Sequence, residues 1–343
     1  MTLRTVSLAF GMAYATMAQP GLNVPVSALA VGGDTPNAVY ASPGTGLVRT
    51  TNDGLNWRAQ FLRPAGERQP VIRTLLVDSS DPKVLYAATD LDDGGIWKSR
   101  DGGTTWTIAN TGLPQGTGAI TWMFQVPAAP STLYTRVGSQ LFKTSNGGES
   151  WAVRGNLPPN ATAIAVYPAD PTIMYAAQPF GVYRSSDEGA SWGLAPDYNP
   201  IGLPQGTVFT SLLVDPTDSR NILAAAVGTG GNTGIFRSTN AAQAFTRVFA
   251  SLPLELSGNP RTPGVVFATS IQRGVIYKST NNGASWRPIV ASTEAFLVTL
   301  AHHPRDPSAL WAGTDRGALV STDAGERWAS RSGTVVPTIS APS

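Results

Sequence analysis

Ser99-Arg100-Asp101-Gly102-Gly103-Thr104-Thr105-Trp106 is one of seven copies of a single pattern, Ser/Thr-x-Asp/Asn-x-Gly-x-x-Trp, and that pattern decides the fold. Each residue type has a local task. The side chain of Asp101 and the hydroxyl of Ser99 can bond nearby backbone N–H groups and hold a chain reversal. Gly103 permits left-handed backbone where the chain turns. Trp106 opens the next strand with a large ring to bury and an N–H to bond. The pattern recurs with Asn52, Gly54 and Trp57; with Asn146, Gly148 and Trp151; and with Asp187, Gly189 and Trp192. It returns with Asn281, Gly283 and Trp286, and with Asp323, Gly325 and Trp328. A decayed copy, Ser238 to Phe245, has Ala242 in place of Gly and Phe245 in place of Trp.

The closing aromatics stand at 57, 106, 151, 192, 245, 286 and 328, a spacing of roughly 40–50 residues that matches one propeller blade. Short alternating segments precede each copy. In the second unit they are Leu75-Leu-Val-Asp78, Val84-Leu-Tyr-Ala-Ala88 and Gly95-Ile-Trp-Lys-Ser99, punctuated by Asp81-Pro82. The prediction is an all-β, seven-bladed β-propeller of four-stranded antiparallel blades over residues 19–331, essentially without helix. The strand opened by each closing aromatic should be outermost, and Trp106 and Trp192 should be deeply buried. The acids of the pattern are turn locks rather than catalysts.

Composition narrows the function. Charged residues make up 13% of the 343, against a usual ~25%, and 24 Lys and Arg face 22 Asp and Glu. No basic field exists to hold a phosphate backbone, so nucleic acid is not an expected partner. With no Cys there is no disulfide, no thiol nucleophile and no thiolate metal site. Residues 1–18 hold one charge, Arg4, then an apolar run with Thr16 and Ala18 at cleavage positions, which reads as an export signal. No stretch is long enough to span a membrane. The chain is expected to be secreted or periplasmic, monomeric and without cofactors, with residues 332–343 as a tail.

The chain resembles the Asp-box, or bacterial neuraminidase repeat, propellers, through the seven copies above and over residues 26–331. That resemblance implies a fold shared by sialidases, xyloglucan-cleaving glycosidases, sortilin-type receptors and a photosystem assembly factor, and it does not by itself assign an activity.

Strand direction places the motif turns and the first-to-second turns of every blade on one face. The second-to-third loops and the blade connections occupy the other. The connections 60–71, 110–118, 155–161, 195–208 and 250–262 read as irregular, and irregular loops on a rigid scaffold are where binding residues concentrate. Thr89-Asp90 and Thr314-Asp315 end second strands in blades 2 and 7. Xyloglucan-cleaving relatives carry a catalytic Asp in a Thr-Asp-Val-Gly-Gly context, which Thr89-Asp-Leu-Asp-Asp-Gly-Gly95 resembles, so Asp90 and Asp315 are the catalytic candidates for two-carboxylate glycoside hydrolysis. Those relatives set two propellers face to face, whereas this chain encodes one. Sialidases clamp a carboxylate with three arginines, and Arg136, Arg273 and Arg316 are the corresponding ligand-binding candidates. Asp92, within Asp90-x-Asp92-Asp93, adds a polar contact. Trp122 and Tyr198 are candidate sugar platforms. His302-His303 cannot chelate one metal as strand neighbours, since they point to opposite faces. No metal site is expected. The sequence reading is an exported propeller that binds an extracellular glycan or protein ligand, with a glycoside hydrolase as the alternative.

Overall fold

The computed structural model describes residues 22–336 apart from 33–37, 91, 93, 117, 180, 195–206, 229–232, 252, 260, 271, 273 and 293. The export segment, Arg273, Asp93 and Tyr198 therefore lie outside the described residues. Seven antiparallel four-stranded sheets follow one another in chain order, each with its strands in sequence. Their first strands, Ala28–Val31, Thr74–Val77, Met123–Gln125, Ala163–Val166, Val208–Asp215, Pro253–Gly258 and Leu297–His302, pack successively around the axis. The first-to-last contact of Ala28–Val31 with Leu297–His302 closes the ring. The protein is a seven-bladed β-propeller. One expectation needs correction: 250–262 is not an irregular connection, because it contains the inner strand of blade 6.

The motif turns are built alike. The Ser or Thr hydroxyl donates to the Asx Oδ1, as Ser99 does to Asp101 at 2.8 Å and Ser185 to Asp187 at 2.7 Å. The same hydroxyl accepts the N–H of the pattern's Gly, 2.9 Å for Gly103. The Asx Oδ1 accepts an N–H four residues on, from Thr105 in blade 2 and Ser191 in blade 4. The Ser191 hydroxyl and N–H, followed by the Ser185 hydroxyl, hold the Asp187 carboxyl down at about 2. In blades 2 to 7 the residue before the Gly donates its N–H to the first-to-second turn of the same blade, as Gly102 does to Lys83. The two turn types therefore share a face.

The blades are stapled by side chains that reach into the next motif turn. Tyr40 donates to Gly102 O and Tyr86 to Gly147 O. Third-strand lysines do the same and add an acid: Lys98 bonds Gly147 O and Glu149, Lys143 bonds Glu188, and Lys278 bonds Ala324 O and Glu326. The closing tryptophans divide into two groups. Trp57 and Trp151 are buried and donate to the preceding blade, to Arg331 O and Ala109 O. Trp106, Trp192, Trp286 and Trp328 are half-buried and donate to their own motif Gly. Deep burial thus belongs to Trp57 and Trp151, not to Trp106 and Trp192.

In the decayed copy Ala241 and Ala242 both stand in left-handed backbone, φ 58° and 67°, where blades 2 and 3 have two glycines. Left-handed backbone costs an L-residue about 1–2 kcal/mol, and glycine returns part of that as unfolded-chain entropy. Ala241→Gly combined with Ala242→Gly is expected to stabilise the protein by about 1 kcal/mol. Urea unfolding that shows a loss would contradict this.

Outside the expected plan, Thr334–Val336 pairs in parallel with the outer strand Asn56–Gln60 of blade 1. Next to it Leu22 N–H bonds Ser332 O and Gly333 N–H bonds Gly54 O. The segment read as a tail is, in that part, a fifth strand on the first blade. Among the described residues no helix is long and apolar enough to cross a membrane.

Candidate functional site

The starts of the inner strands of blades 4 to 7 and the entry to blade 3 converge on the connection face. There they line a cavity of about 480 Å³. Its wall carries the hydroxyls of Thr121, Thr162, Thr210 and Ser211, with Trp122 at one side and two ionisable groups, Arg136 and Glu255. Arg136 is the penultimate residue of the second strand of blade 3, Leu133–Val137. Its Nε donates to Gly138 O at 2.9 Å and its Nη1 to Ala161 O at 2.7 Å, so two carbonyls fix the guanidinium. Burial lowers its pKa from the usual arginine value.

Glu255 was not among the residues singled out in the sequence. It sits on the inner strand of blade 6 and is pushed up to about 7 by burial, against the opposing hydrogen bonds from the Thr299 hydroxyl and Leu300 N–H. The alternation Leu254-Glu255-Leu256-Ser257 between Pro253 and Gly258 was the signal that could have found it. Two residues on, Ser257 and His302 Nε2 lie 2.7 Å apart. Burial lowers His302 to about 4, so it is a neutral tie between blades 6 and 7. His303 accepts the N–H groups of Arg305 and Asp306 on Nδ1. His302 serves a contact between strands and His303 a turn, and no metal-holding group of acids and histidines occurs among the described residues.

Glu255 makes stability depend on pH. In the unfolded chain a glutamate ionises near 4.3, whereas the folded carboxyl keeps its proton to about 7. The folded state binds more protons in between, so this contribution is full below about 4.3 and is lost as pH rises through about 7. Glu255→Gln stays neutral throughout. It is expected to unfold like the wild type at pH 4.5 and to be more stable at pH 8 by about 2 kcal/mol, a figure reduced for the cavity's access to solvent. A variant equally or less stable at pH 8 would refute the assignment.

The other sequence candidates are dispersed. Asp90 is held by Arg73, Nε to Oδ1 at 3.3 Å and Nη2 to Oδ2 at 3.2 Å. Asp315 accepts the Phe296 N–H on Oδ1 at 2.7 Å. Neither lines the Arg136–Glu255 cavity. Arg316 is exposed and its guanidinium has no partner among the described residues. Asp92 lines a separate hollow of about 340 Å³ in blade 2, together with Arg63 and Trp97. The structure thus brings together Arg136 and Trp122 and adds Glu255.

No family model matches the chain. A xyloglucanase from Paenibacillus sp is 25% identical over 277 residues, which is 73% of this chain and 24% of that enzyme. The chain thus spans about a quarter of its curated relative. Among solved structures, an ancestral GH74 enzyme superposes with a TM-score of 0.70 at 16% identity, covering 89% of this chain and 46% of the enzyme. YCF48 bound to a D1 peptide superposes with a TM-score of 0.64 at 13% identity, covering 89% of this chain and 95% of YCF48. These likenesses establish the fold, and the last matches a single propeller over nearly its whole length.

Proposed function

We propose that this chain is an exported, monomeric propeller that binds an extracellular glycan or polypeptide segment in the Arg136–Glu255 cavity. The observation that carries the reading is the cavity itself. Strand starts from successive blades supply hydroxyls, one fixed cation and one acid to a single concave space, the usual make-up of a ligand site. The ring-closed scaffold is rigid, so the donors are already positioned before binding. YCF48, a single propeller of similar fold, is known bound to a peptide, which supports a binding role for a lone ring.

A second reading has a specific observation behind it: the 25% identity to a xyloglucanase. Hydrolysis would use Asp90 and Asp315. Asp90 is occupied by Arg73 and Asp315 by a backbone N–H, and glycoside hydrolysis needs two carboxylates flanking one bond. Binding therefore ranks first. Calorimetric titration with xyloglucan oligosaccharides and with a peptide library tests it, with Arg136→Ala expected to weaken binding at least tenfold. Unchanged affinity in that variant would sink the assignment of the cavity. Release of reducing ends from xyloglucan, abolished by Asp90→Asn, would put the hydrolase reading in its place.

A further inference from the structure

The motif-turn face, opposite the Arg136–Glu255 cavity, has a hollow of its own. It is a cavity of about 300 Å³, at the lower end of the range for ligand sites. Trp122, Phe124 and Leu213 form part of an apolar wall, and Asn259, Arg237 and Asp215 supply a polar side. Trp122 lines this chamber and the Arg136–Glu255 chamber alike, so the two are back to back.

The polar side offers donors without acceptors. Asn259 is 4% exposed; its Oδ1 accepts the Arg261 N–H at 2.9 Å, and its Nδ2 has no partner. Asp215 is satisfied by the N–H and hydroxyl of Thr217 and by the amides of Asn221 and Asn282. Arg237 occupies the blade-staple position of Lys98, Lys143 and Lys278 and reaches the next motif turn through Nε to Asn282 O at 2.9 Å. Those lysines each meet an acid, Glu149, Glu188 or Glu326. The blade 6 motif has Asn282 and Ala284 where those acids would stand, and the terminal nitrogens of Arg237 have no partner among the described residues. Arg49 and Arg184 hold the same position in blades 1 and 4 and likewise form no ion pair with an acid among the described residues; of these three arginines only Arg237 lines the cavity. A buried donor left unpaired is costly, and an incoming acceptor removes that cost.

We propose that this chamber is a second binding site, which receives an apolar side chain of a partner polypeptide together with a neighbouring backbone carbonyl oxygen. The volume accommodates one such side chain, and the apolar wall removes it from water. Asn259 and Arg237 supply the N–H groups for the oxygen. Arg237 and Asp215 already balance one another in charge, so the group that enters is uncharged. The polar groups of this site, Asn259, Arg237 and Asp215, are not shared with the Arg136–Glu255 cavity, although Trp122, Ile164 and Leu212 line both.

N-acetyl-phenylalaninamide is the probe, since it carries the ring and two amide carbonyls. Ligand-observed NMR with the full chain should show millimolar or tighter binding. Asn259→Asp keeps the acceptor for Arg261 and removes the donor, and it should weaken binding about five- to tenfold, the worth of one hydrogen bond. Phe124→Ala should weaken it by a similar factor and decides the matter if Asn259→Asp does not fold. Arg136→Ala should leave probe affinity unchanged. Absence of binding, unchanged affinity in Asn259→Asp and Phe124→Ala, or loss in Arg136→Ala would each overturn the site. Preference for N-acetyl-phenylalanine free acid would overturn the uncharged ligand, and benzamide binding as tightly as the probe would overturn the polypeptide source.

Discussion

Trp57→Ala is expected to destabilise the protein by about 4–5 kcal/mol, near the top of the range for truncating a buried aromatic. The indole is fully buried, stands edge-on to Trp311 at 6.1 Å between centroids, and donates to Arg331 O at 2.9 Å. Its cluster holds Leu22 and Val26 from the chain entering the ring, Val48 from blade 1 and Val320 from blade 7. Removing the ring leaves a cavity at the seam where the first and last blades meet, and an orphaned carbonyl beside it. Trp106→Ala serves as the comparison. That ring is half-buried and bonds its own turn, so a loss of about half the size is expected. Urea unfolding of both variants, read by circular dichroism, checks the order. Equal losses would show that the closure seam has no special weight.

Gly274→Ala should cost about 3–4 kcal/mol despite its single added methyl. Gly274 has φ 66°, and a Cβ there would lie 1.5 Å from Ser292 O. The neighbour is backbone, so it cannot swing aside as a side chain would. Gly274 O also accepts the N–H groups of Ala291 at 2.7 Å and Ser292 at 3.3 Å, so withdrawing that strand end breaks both bonds. Gly138→Ala isolates the backbone contribution: φ is 60° and nothing lies within 4 Å of its Cβ position. There the left-handed penalty acts alone, about 1 kcal/mol. Melting temperatures of the two variants should differ clearly, and similar values would refute the steric account.

The ring was legible because its instructions are local. Each motif turn is closed by a hydroxyl, an Asx oxygen and a left-handed residue lying within eight positions, so the residues alone specify it, and even Ala242 could be read as a Gly in disguise. Blade count and the pairing of turns on one face follow from repetition and strand direction. The site was less legible because it depends on what five unlike blades, 3 to 7, place opposite one another. Arg136 was visible as one of the three arginines that the sialidase resemblance singled out. Glu255 was hidden in a segment whose Pro and Gly suggested a loop, and its proximity to Arg136 exists only after the ring closes. Asp90 was singled out by the Thr89-Asp-Leu-Asp-Asp-Gly-Gly95 resemblance, whereas its pairing with Arg73, 17 residues away, is announced by nothing in the local pattern.

The parallel strand Thr334–Val336 has a consequence for how these rings behave in company. An outer strand with free N–H and C=O groups is a template for pairing with another copy. In blades 2, 4 and 7 that strand is two residues long, too short to template much. In blades 3 and 5 it slips register against its neighbour, and in blade 6 Pro288 removes a donor. Blade 1 alone has a long outer strand, Asn56–Gln60, with neither slip nor proline, and it is the one that the fifth strand covers. A chain cut before Thr334 therefore exposes the best-formed β-edge in the molecule, and self-association through blade 1 is the failure such a truncation invites.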